Sequence, residues 1–217
     1  MIRLDRNENP WGATAAVREA VKRALYAPYA TTGINRYGDF NQTHLVRTIA
    51  AYHGVRPTEV TVGVGGSEIL SILAAAFLQE GKLLLTAEPT FDLLPERARA
   101  WGGRVITVPL DPAGFYDLEA LLGRVTGETR MIYLCNPNNP TGAFHDAAHL
   151  AAFTEEVWGR NPRTILVLDE AYIDYTVPEA RFDFLPPLRR GRPIVVVRSL
   201  SAAHGMAGLR AGYALAN

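Results

Sequence analysis

The chain has 217 residues, of which 48% are hydrophobic, a composition typical of a folded globular domain rather than a disordered chain. Lysine plus arginine and aspartate plus glutamate both number 22, so no overall charge would recruit nucleic acid or an anionic membrane. The single cysteine, Cys135, excludes an internal disulfide, and neither an apolar leader nor a bilayer-length apolar run is visible. We therefore expect a cytoplasmic protein.

Hydrophobic periodicity predicts alternating helices and strands along the chain. The predicted helices cover residues 17–25 and 41–53, a stretch that ends before Gly81, a stretch that ends at Trp101, and residues 149–158. Short apolar runs predict strands over residues 60–62, 83–85, 105–108, 131–134, 165–168 and 194–197, with another strand near the end of the chain. The proline-rich stretch 184–190 is interpreted as a surface connection.

The order of these elements predicts the fold class. Strands that alternate with helices form a mostly parallel sheet with helices on both faces. The runs 165–168 and 194–197 are continuously apolar, which is typical of strands covered on both sides. We predict an α/β fold, and we expect functional side chains at the carboxyl edge of the sheet.

Three segments indicate the chemistry. They are Asn-Pro-Asn-Asn-Pro-Thr-Gly at residues 136–142, Asp-Glu-Ala-Tyr at 169–172, and Ser-Leu-Ser-Ala-Ala-His-Gly-Met-Ala-Gly-Leu-Arg at 199–210. In this order they resemble the cofactor-binding core of fold-type I, pyridoxal phosphate (PLP)-dependent aminotransferases of class I/II, in the histidinol-phosphate aminotransferase branch. The resemblance covers nearly the whole chain. It implies a PLP-binding large domain and an aminotransferase of amino-acid biosynthesis.

The resemblance implies a cup for the cofactor phosphate. Its members would be Gly66, Ser67, Glu68, Ser199, Ser201 and Arg210. The first three would offer backbone N–H groups at a helix N-terminus, which favours an anion. The serines would donate hydrogen bonds, and the guanidinium would match a phosphate dianion. Each feature also has an alternative explanation when taken alone. Residues 66–68 could form only a tight strand-to-helix turn, the two serines could cap a helix, and Arg210 could form a surface ion pair.

The resemblance also assigns groups around the cofactor ring. Asp169 would pair with the pyridine nitrogen and keep the ring protonated, so that the ring accepts electrons from the substrate. Tyr172, which is also assigned to catalysis, and Asn139 would bond the 3′-oxygen from two sides, and Phe91 would stack on the ring. The alternatives are a loop carboxylate for Asp169, core packing for Tyr172 and Phe91, and a turn residue for Asn139.

The resemblance extends to subunits and domains. Tyr37 resembles the tyrosine that reaches the phosphate in the neighbouring subunit, which implies a homodimer. Residues 4–12 resemble the N-terminal arm near the substrate mouth. We predict an arm and first helix over residues 1–30 and the PLP-binding large domain over 31–217. The family's C-terminal small domain, with its substrate-carboxylate arginine, is missing from the chain.

Ala202 stands where the family carries the lysine that holds the cofactor as a Schiff base. A methyl group neither tethers PLP nor shuttles a proton, so we expect impaired catalysis. Either Ala202 replaces the lysine of an otherwise ordinary aminotransferase, or the protein is a pseudoenzyme that binds a cofactor or a partner. A PLP-dependent decarboxylase of an amino-acid phosphate shares these motifs and is the alternative within the same chemistry.

Other residue types indicate little further chemistry. The five histidines show no ligand spacing with a carboxylate or with Cys135, so no metal site is predicted. Cys135, at a strand end, is interpreted as a small buried residue. The expected partner is a small amino acid or amine substrate, with neither nucleic acid nor a membrane.

Overall fold

A seven-stranded sheet forms the centre of the computed structural model, which describes residues 6–26 and 36–217. The strands are β1 (Val60–Val64), β2 (Leu83–Glu88), β3 (Arg104–Pro109), β4 (Thr129–Cys135), β5 (Ile165–Asp169), β6 (Ile194–Ser199) and β7 (Ala211–Ala216). Their order across the sheet is β1-β7-β6-β5-β4-β2-β3. Strand β7 runs antiparallel to both neighbours, and the other pairs are parallel. The predicted mostly parallel sheet is confirmed.

Helices cover both faces of the sheet. Those of the described residues are α1 (Ala15–Tyr26), α2 (Thr43–His53), α3 (Gly65–Phe77), α4 (Leu93–Ala100), α5 (Leu118–Gly123), α6 (Ala147–Arg160) and α7 (Leu185–Arg189). Leu70 of α3 and Leu94 of α4 belong to the core on one face. Ile49, Leu121 and Phe153, from α2, α5 and α6, belong to the core on the other face. The predicted α/β class is confirmed, and two-sided burial explains why β5 is apolar and buried along its length.

Two stretches differ from the sequence prediction. Helix α5 was not predicted, although Asp117 caps it by accepting a hydrogen bond from the Ala120 N–H at 2.8 Å. The interpretation of residues 184–190 as a surface connection is wrong, because they contain α7. Proline is compatible with the first helical turn, and the apolar side of this short helix buries Leu188 beside Phe184.

Helix α1 has the predicted position but buries none of its residues. Its apolar stripe, which includes Val17 and Val21, is therefore only partly covered by the described part of the chain. The predicted domain boundary between residues 30 and 31, and the first residues of the predicted arm, lie outside the described residues.

The sheet brings six connections to one edge. All strands except β7 end there, with β1 leading into α3, and β7 begins there because it runs in the opposite direction. The register places Asp169 beside Cys135 on β4 and beside Val197 on β6, and it places Ser199 beside Gly212 on β7. Residues that are far apart in sequence therefore converge at this edge.

Candidate active site

A cavity of about 160 Å³ lies at the edge where these connections converge. It is lined by Gly66, Ser67, Leu70, Phe91, Cys135, Asn139, Asp169, Ala171, Tyr172, Ser199, Ser201 and Arg210. Most of the residues that the sequence assigned to a cofactor site are in this set. Glu68, Ala202 and Tyr37 are not.

The N-terminus of α3 forms one wall of the cavity. The chain turns from β1 directly into the helix at Gly65, whose φ of 76° is accessible to glycine without strain. The Val64 N–H donates a hydrogen bond to Glu68 Oε2 at 2.7 Å. The next residues of the turn that line the cavity are Gly66 and Ser67. The first-turn N–H groups of a helix carry partial positive charge, so this wall favours an anion.

Arg210 places a cation beside this helix end. Its backbone is left-handed, with φ of 54°, and its Nη1 donates a hydrogen bond to the Ala207 carbonyl at 3.0 Å. A Cβ at position 65 would lie 2.8 Å from Nη2, so Gly65 leaves the room that the guanidinium occupies. Within the described ranges no ion pair joins Arg210 to a carboxylate, which removes the surface-pair alternative there.

Ser199 is the last residue of β6, and Ser201 lies two residues further along the chain. The Ser201 N–H donates a hydrogen bond to Ser199 Oγ at 3.2 Å, and both side chains are half-buried at the cavity wall. The chain continues from β6 into a turn rather than a helix, so helix capping does not account for these serines. Together with Ser67 they add hydroxyl groups to the wall that carries Arg210.

Asp169 supplies a buried negative group. It is the last residue of β5 and is 4% exposed. Its Oδ2 accepts a hydrogen bond from Tyr133 Oη at 2.9 Å, and its Oδ1 accepts one from the Ala171 N–H at 3.1 Å. Burial raises the pKa of Asp169 to about 6, although both hydrogen bonds act in the opposite direction. No cation of the described residues pairs with this carboxylate, so a cation from outside the chain would be stabilised beside it.

The described part of the N-terminal arm contacts the loops around the cavity. Asn7 Nδ2 donates a hydrogen bond to Tyr172 Oη at 3.0 Å, and Asn9 Nδ2 donates one to the Ala203 carbonyl at 3.1 Å. These bonds join the arm to the loop after β5 and to the loop after β6. A second cavity of about 560 Å³ shares Asn139 and Tyr172 with the first and is bordered by Asn7.

Asn139 and Phe91 complete the cavity wall. Both are half-buried, and Phe91 packs against the core beneath α3 and α4. The Asn139 side chain has no hydrogen-bond partner among residues 6–26 and 36–217. Its amide is therefore available to a ligand, whereas the hydroxyl of Tyr172 is already bonded to the arm.

Three residues of the predicted site do not line the cavity. Glu68 is exposed and folds back onto β1, so it contributes no side chain to the wall. Ala202 is 7% exposed, and its carbonyl accepts a hydrogen bond from the Gly205 N–H at 3.0 Å. Tyr37 is 93% exposed and stacks on Phe40 with ring centroids 6.3 Å apart. Its predicted role in a neighbouring subunit stays a prediction.

Several residues at the cavity were not assigned from the sequence. Leu70 and Ala171 form apolar wall, and Cys135, confirmed as a buried residue, also lines the cavity. Tyr133 bonds Asp169 from β4 and was not singled out. Alternation of side chains along a strand places Tyr133 on the same face as Cys135, which is the pattern that could have indicated it.

A buried ion pair ties together the strand ends that carry the site. Arg198 Nη2 lies 2.5 Å from Glu170 Oε2, and the two side chains are 13% and 1% exposed. Glu170 follows Asp169 and Arg198 precedes Ser199, so the pair links the ends of β5 and β6. Burial raises the pKa of Glu170, and the positive charge of Arg198 opposes that effect.

Two further observations concern other kinds of site. In the described residues no group of three or more His, Cys, Asp or Glu side chains is arranged to hold a metal ion. No helix of those residues has the length and apolar character needed to cross a bilayer.

The sequence profile of the family Aminotransferase class I and II matches residues 1–217. The chain belongs to this family. This family member is 35% identical over 217 residues to the histidinol-phosphate aminotransferase of Lactiplantibacillus plantarum, covering 100% of this chain and 59% of that protein. It is 38% identical over 218 residues to the histidinol-phosphate aminotransferase of Halalkalibacterium halodurans, covering 100% of this chain and 56% of that one.

A solved structure shares the fold of this member of the Aminotransferase class I and II family. The histidinol-phosphate aminotransferase of Sinorhizobium meliloti, in complex with pyridoxal-5′-phosphate, superposes with a TM-score of 0.87 at 28% identity. The alignment covers 97% of this chain and 55% of that structure. The predicted family is confirmed, and the chain spans less than two thirds of the length of these relatives.

Proposed function

We propose that this chain is the PLP-binding part of an aminotransferase of the histidinol-phosphate type. The observation that supports this most strongly is one cavity that combines the α3 N-terminus and Arg210 with the buried carboxylate of Asp169. An anion site next to an unpaired buried carboxylate suits a ligand that has a phosphate at one end and a cationic ring at the other. The S. meliloti relative is a PLP complex, which adds to this support.

The phosphate would be held by groups at the start of α3, at the end of β6 and in the connection from β6 to β7. Backbone N–H groups of Gly66 and Ser67 would donate to its oxygens, and Arg210 would neutralise its charge. Ser199 and Ser201 would add hydroxyl donors. This assignment is supported by the absence of a competing carboxylate near Arg210 in the described residues.

The ring would lie toward β5 and β4. Asp169 would accept a hydrogen bond from the protonated ring nitrogen, and the pairing would offset the cost of burying its charge. When bound, PLP supplies the electron-accepting ring that amino-group transfer requires. Phe91 would cover the ring, and the free amide of Asn139 would donate to its 3′-oxygen.

Tyr172 would act at the boundary of the two cavities. Its hydroxyl is bonded to Asn7 of the arm at 3.0 Å, so it would share that bond with the ring oxygen or exchange one for the other. The arm and the loops after β5 and β6 would together exclude water from the reacting centre. The second cavity, of about 560 Å³, offers room for a small amino-acid or amine substrate.

Ala202 limits what the chain would catalyse. In an aminotransferase of this type a lysine amine would tether the cofactor and move the proton, and a methyl group does neither. A positioned acid or base contributes about 10²–10⁴-fold in rate. Its loss costs about 3–5 kcal/mol of transition-state stabilisation. We expect the chain to bind PLP without covalent attachment and to transfer amino groups very slowly.

The proposal extends to assembly and location. Tyr37 and Phe40 are 93% and 89% exposed, and such exposed aromatic pairs are enriched at protein interfaces, which supports a homodimer. Cys135 is the chain's single cysteine and is buried, so the chain has no internal disulfide, which supports a reducing cytoplasm. Equal numbers of acidic and basic residues support a small-molecule partner rather than nucleic acid.

The test is a PLP titration that compares two aspartates. Asp169→Ala is expected to weaken PLP binding by about 10- to 100-fold, the usual effect of losing a hydrogen bond to a charged group. Asp174→Ala is the matched control, because Asp174 bonds His204 at 3.2 Å and does not line the cavity. Equal effects of the two substitutions would contradict the role of Asp169. A wild-type chain that binds no PLP would favour the interaction-protein alternative.

A further inference from the structure

Tyr133 is a fully buried residue of β4 whose hydroxyl reaches the candidate site. Its side chain packs in the core between the sheet and the α3–α4 layer, and Oη donates a hydrogen bond to Asp169 Oδ2 at 2.9 Å. The strand register pairs Cys135 with Asp169 and Tyr133 with Val167, so Tyr133 is the diagonal neighbour of Asp169 on one face of the sheet. A phenylalanine would fill the same space, and only the hydroxyl reaches the carboxylate.

Two donors fix the orientation of the Asp169 carboxylate. The Ala171 N–H bonds Oδ1 at 3.1 Å, and Tyr133 bonds Oδ2. Because the donors engage different oxygens, rotation of the carboxylate would break both bonds. A carboxylate offers about four acceptor positions, so half of them stay available to a ligand in the cavity that Asp169 lines.

We propose that Tyr133 is a positioning residue, whose hydroxyl orients the Asp169 carboxylate and keeps it ionised for a cationic ring nitrogen. This inference rests on the proposed function for the identity of the ligand. A donor to the charged form of an acid favours that form, whereas burial disfavours it. Burial also keeps the pKa of Tyr133 well above its ordinary value, so the phenol stays protonated and always donates.

Several other titratable groups surround Asp169, and most of them keep one protonation state near neutral pH. Those that interact with it or share its cavity are Tyr116, Cys135, Glu170, Tyr172 and Arg210. The pKa values of the two tyrosines and the cysteine are raised, so these groups stay neutral between pH 5 and about 8. Burial raises the pKa of Glu170, which is bonded to Arg198 at 2.5 Å, to about 7, so Glu170 titrates within this range in the wild type and in Tyr133→Phe alike. Arg210 contributes its guanidinium to another part of the cavity wall.

The test is a direct titration of Asp169 by NMR. The chain is labelled with ¹³C at aspartate carboxyl carbons, and the Asp169 signal is assigned by its loss in Asp169→Asn. Glutamate is not labelled, so Glu170 does not overlap. Tyr133→Phe is expected to raise the pKa of Asp169 by about one to two units, which is a 10- to 100-fold rise in proton affinity. An unchanged pKa would overturn the inference.

Tyr116→Phe is the matched control. Tyr116 is also buried, and its hydroxyl bonds the Cys135 N–H at 3.0 Å and Thr90 Oγ1 at 2.5 Å without touching Asp169. It is expected to lower stability and to leave the pKa of Asp169 in place. If Tyr133→Phe fails to fold, 3-fluorotyrosine at position 133 keeps the shape and donates a stronger hydrogen bond. That replacement is expected to lower the pKa of Asp169, and no change would count against the inference.

A PLP titration separates this inference from the proposed function. Tyr133→Phe is expected to weaken PLP binding about tenfold at pH 6, where Asp169 would be mostly protonated, and much less at pH 8.5. If PLP binds in an Asp169-dependent way but Tyr133→Phe has the wild-type pH dependence, the positioning role is wrong and the function stands. If the NMR change appears but PLP does not bind, the positioning role stands and the ligand is wrong.

Discussion

Gly212 is a position at which adding a single methyl group is expected to lower both the stability of the fold and the affinity of the anion site. It lies in β7 beside Gly63 of β1 and Ser199 of β6. A Cβ there would lie 2.5 Å from the Gly65 carbonyl carbon and 2.5 Å from the Gly66 nitrogen. Both neighbours are backbone atoms at the start of α3, so no side chain can rotate away, and the helix end itself has to move.

Gly212→Ala is therefore expected to destabilise the fold and to weaken the anion site together. Overpacking costs about 1–3 kcal/mol, and a clash with backbone lies at the upper end of that range. In a chain of this size each kcal/mol lowers Tm by about 2–4 °C, so we expect a decrease of about 6–12 °C. Displacement of the first turn of α3 should also weaken PLP binding through its phosphate.

The assay is thermal and denaturant unfolding combined with a PLP titration. Gly208→Ala is the matched control, because Gly208 is close in sequence and a Cβ there would contact nothing within 4 Å. That control is expected to stay within about 0.5 kcal/mol of the wild type. If Gly212→Ala matches the control in both stability and PLP affinity, the close approach of β7 to α3 does not exist.

Three further predictions concern the charges and the missing amine. Ala202→Lys is expected to give a yellow protein with PLP, and a colourless protein under saturating PLP would contradict the site assignment. The folded-state pKa of Asp169, about 6, exceeds its ordinary value of 3.8, so the contribution of Asp169 to stability falls as pH rises from about 4 to 6. Asp169→Asn should then be about 1–3 kcal/mol more stable than the wild type at pH 8 and no more stable at pH 4, which urea unfolding at both pH values would check. Glu170→Gln leaves Arg198 buried without its partner and should cost about 3 kcal/mol, whereas Glu155→Gln, in an exposed pair, should cost about 0–1 kcal/mol in the same assay.

The elements that were predictable from the sequence are those whose burial leaves a simple pattern. β5 and β6 are continuous apolar runs because helices cover both faces of the sheet, and α2 ends at Gly54 as its sequence indicated. Helix α5 was missed because it is short and its start depends on one capping contact from Asp117. α7 was missed because its prolines are typical of loops, and only tertiary packing shows that Leu188 is buried.

The sequence allowed many residues of the candidate site to be predicted, but not the side-chain contacts between them. Asp169, Ser199 and Arg210 could be expected to meet because parallel strands end at one edge and β7 starts there. The bond from Tyr133 to Asp169 depends on strand order and register, which place β4 beside β5. The Glu170–Arg198 pair depends in the same way on β5 beside β6. Alternation along β4 places Tyr133 on the same face as Cys135, but each of these two contacts joins two strands, so neither partner can be identified from a single segment.

The contacts of the arm and of β1 have a consequence for folding during synthesis. β1 pairs in the sheet with β7, and Asn9 bonds Ala203, which is 194 residues later. Chains emerge from the ribosome at roughly 5–20 residues per second, so these early segments wait on the order of ten seconds or more for their partners. During that interval β1 lacks β7, its one neighbour in the described sheet, and in the finished fold its outer edge is still unpaired within that sheet.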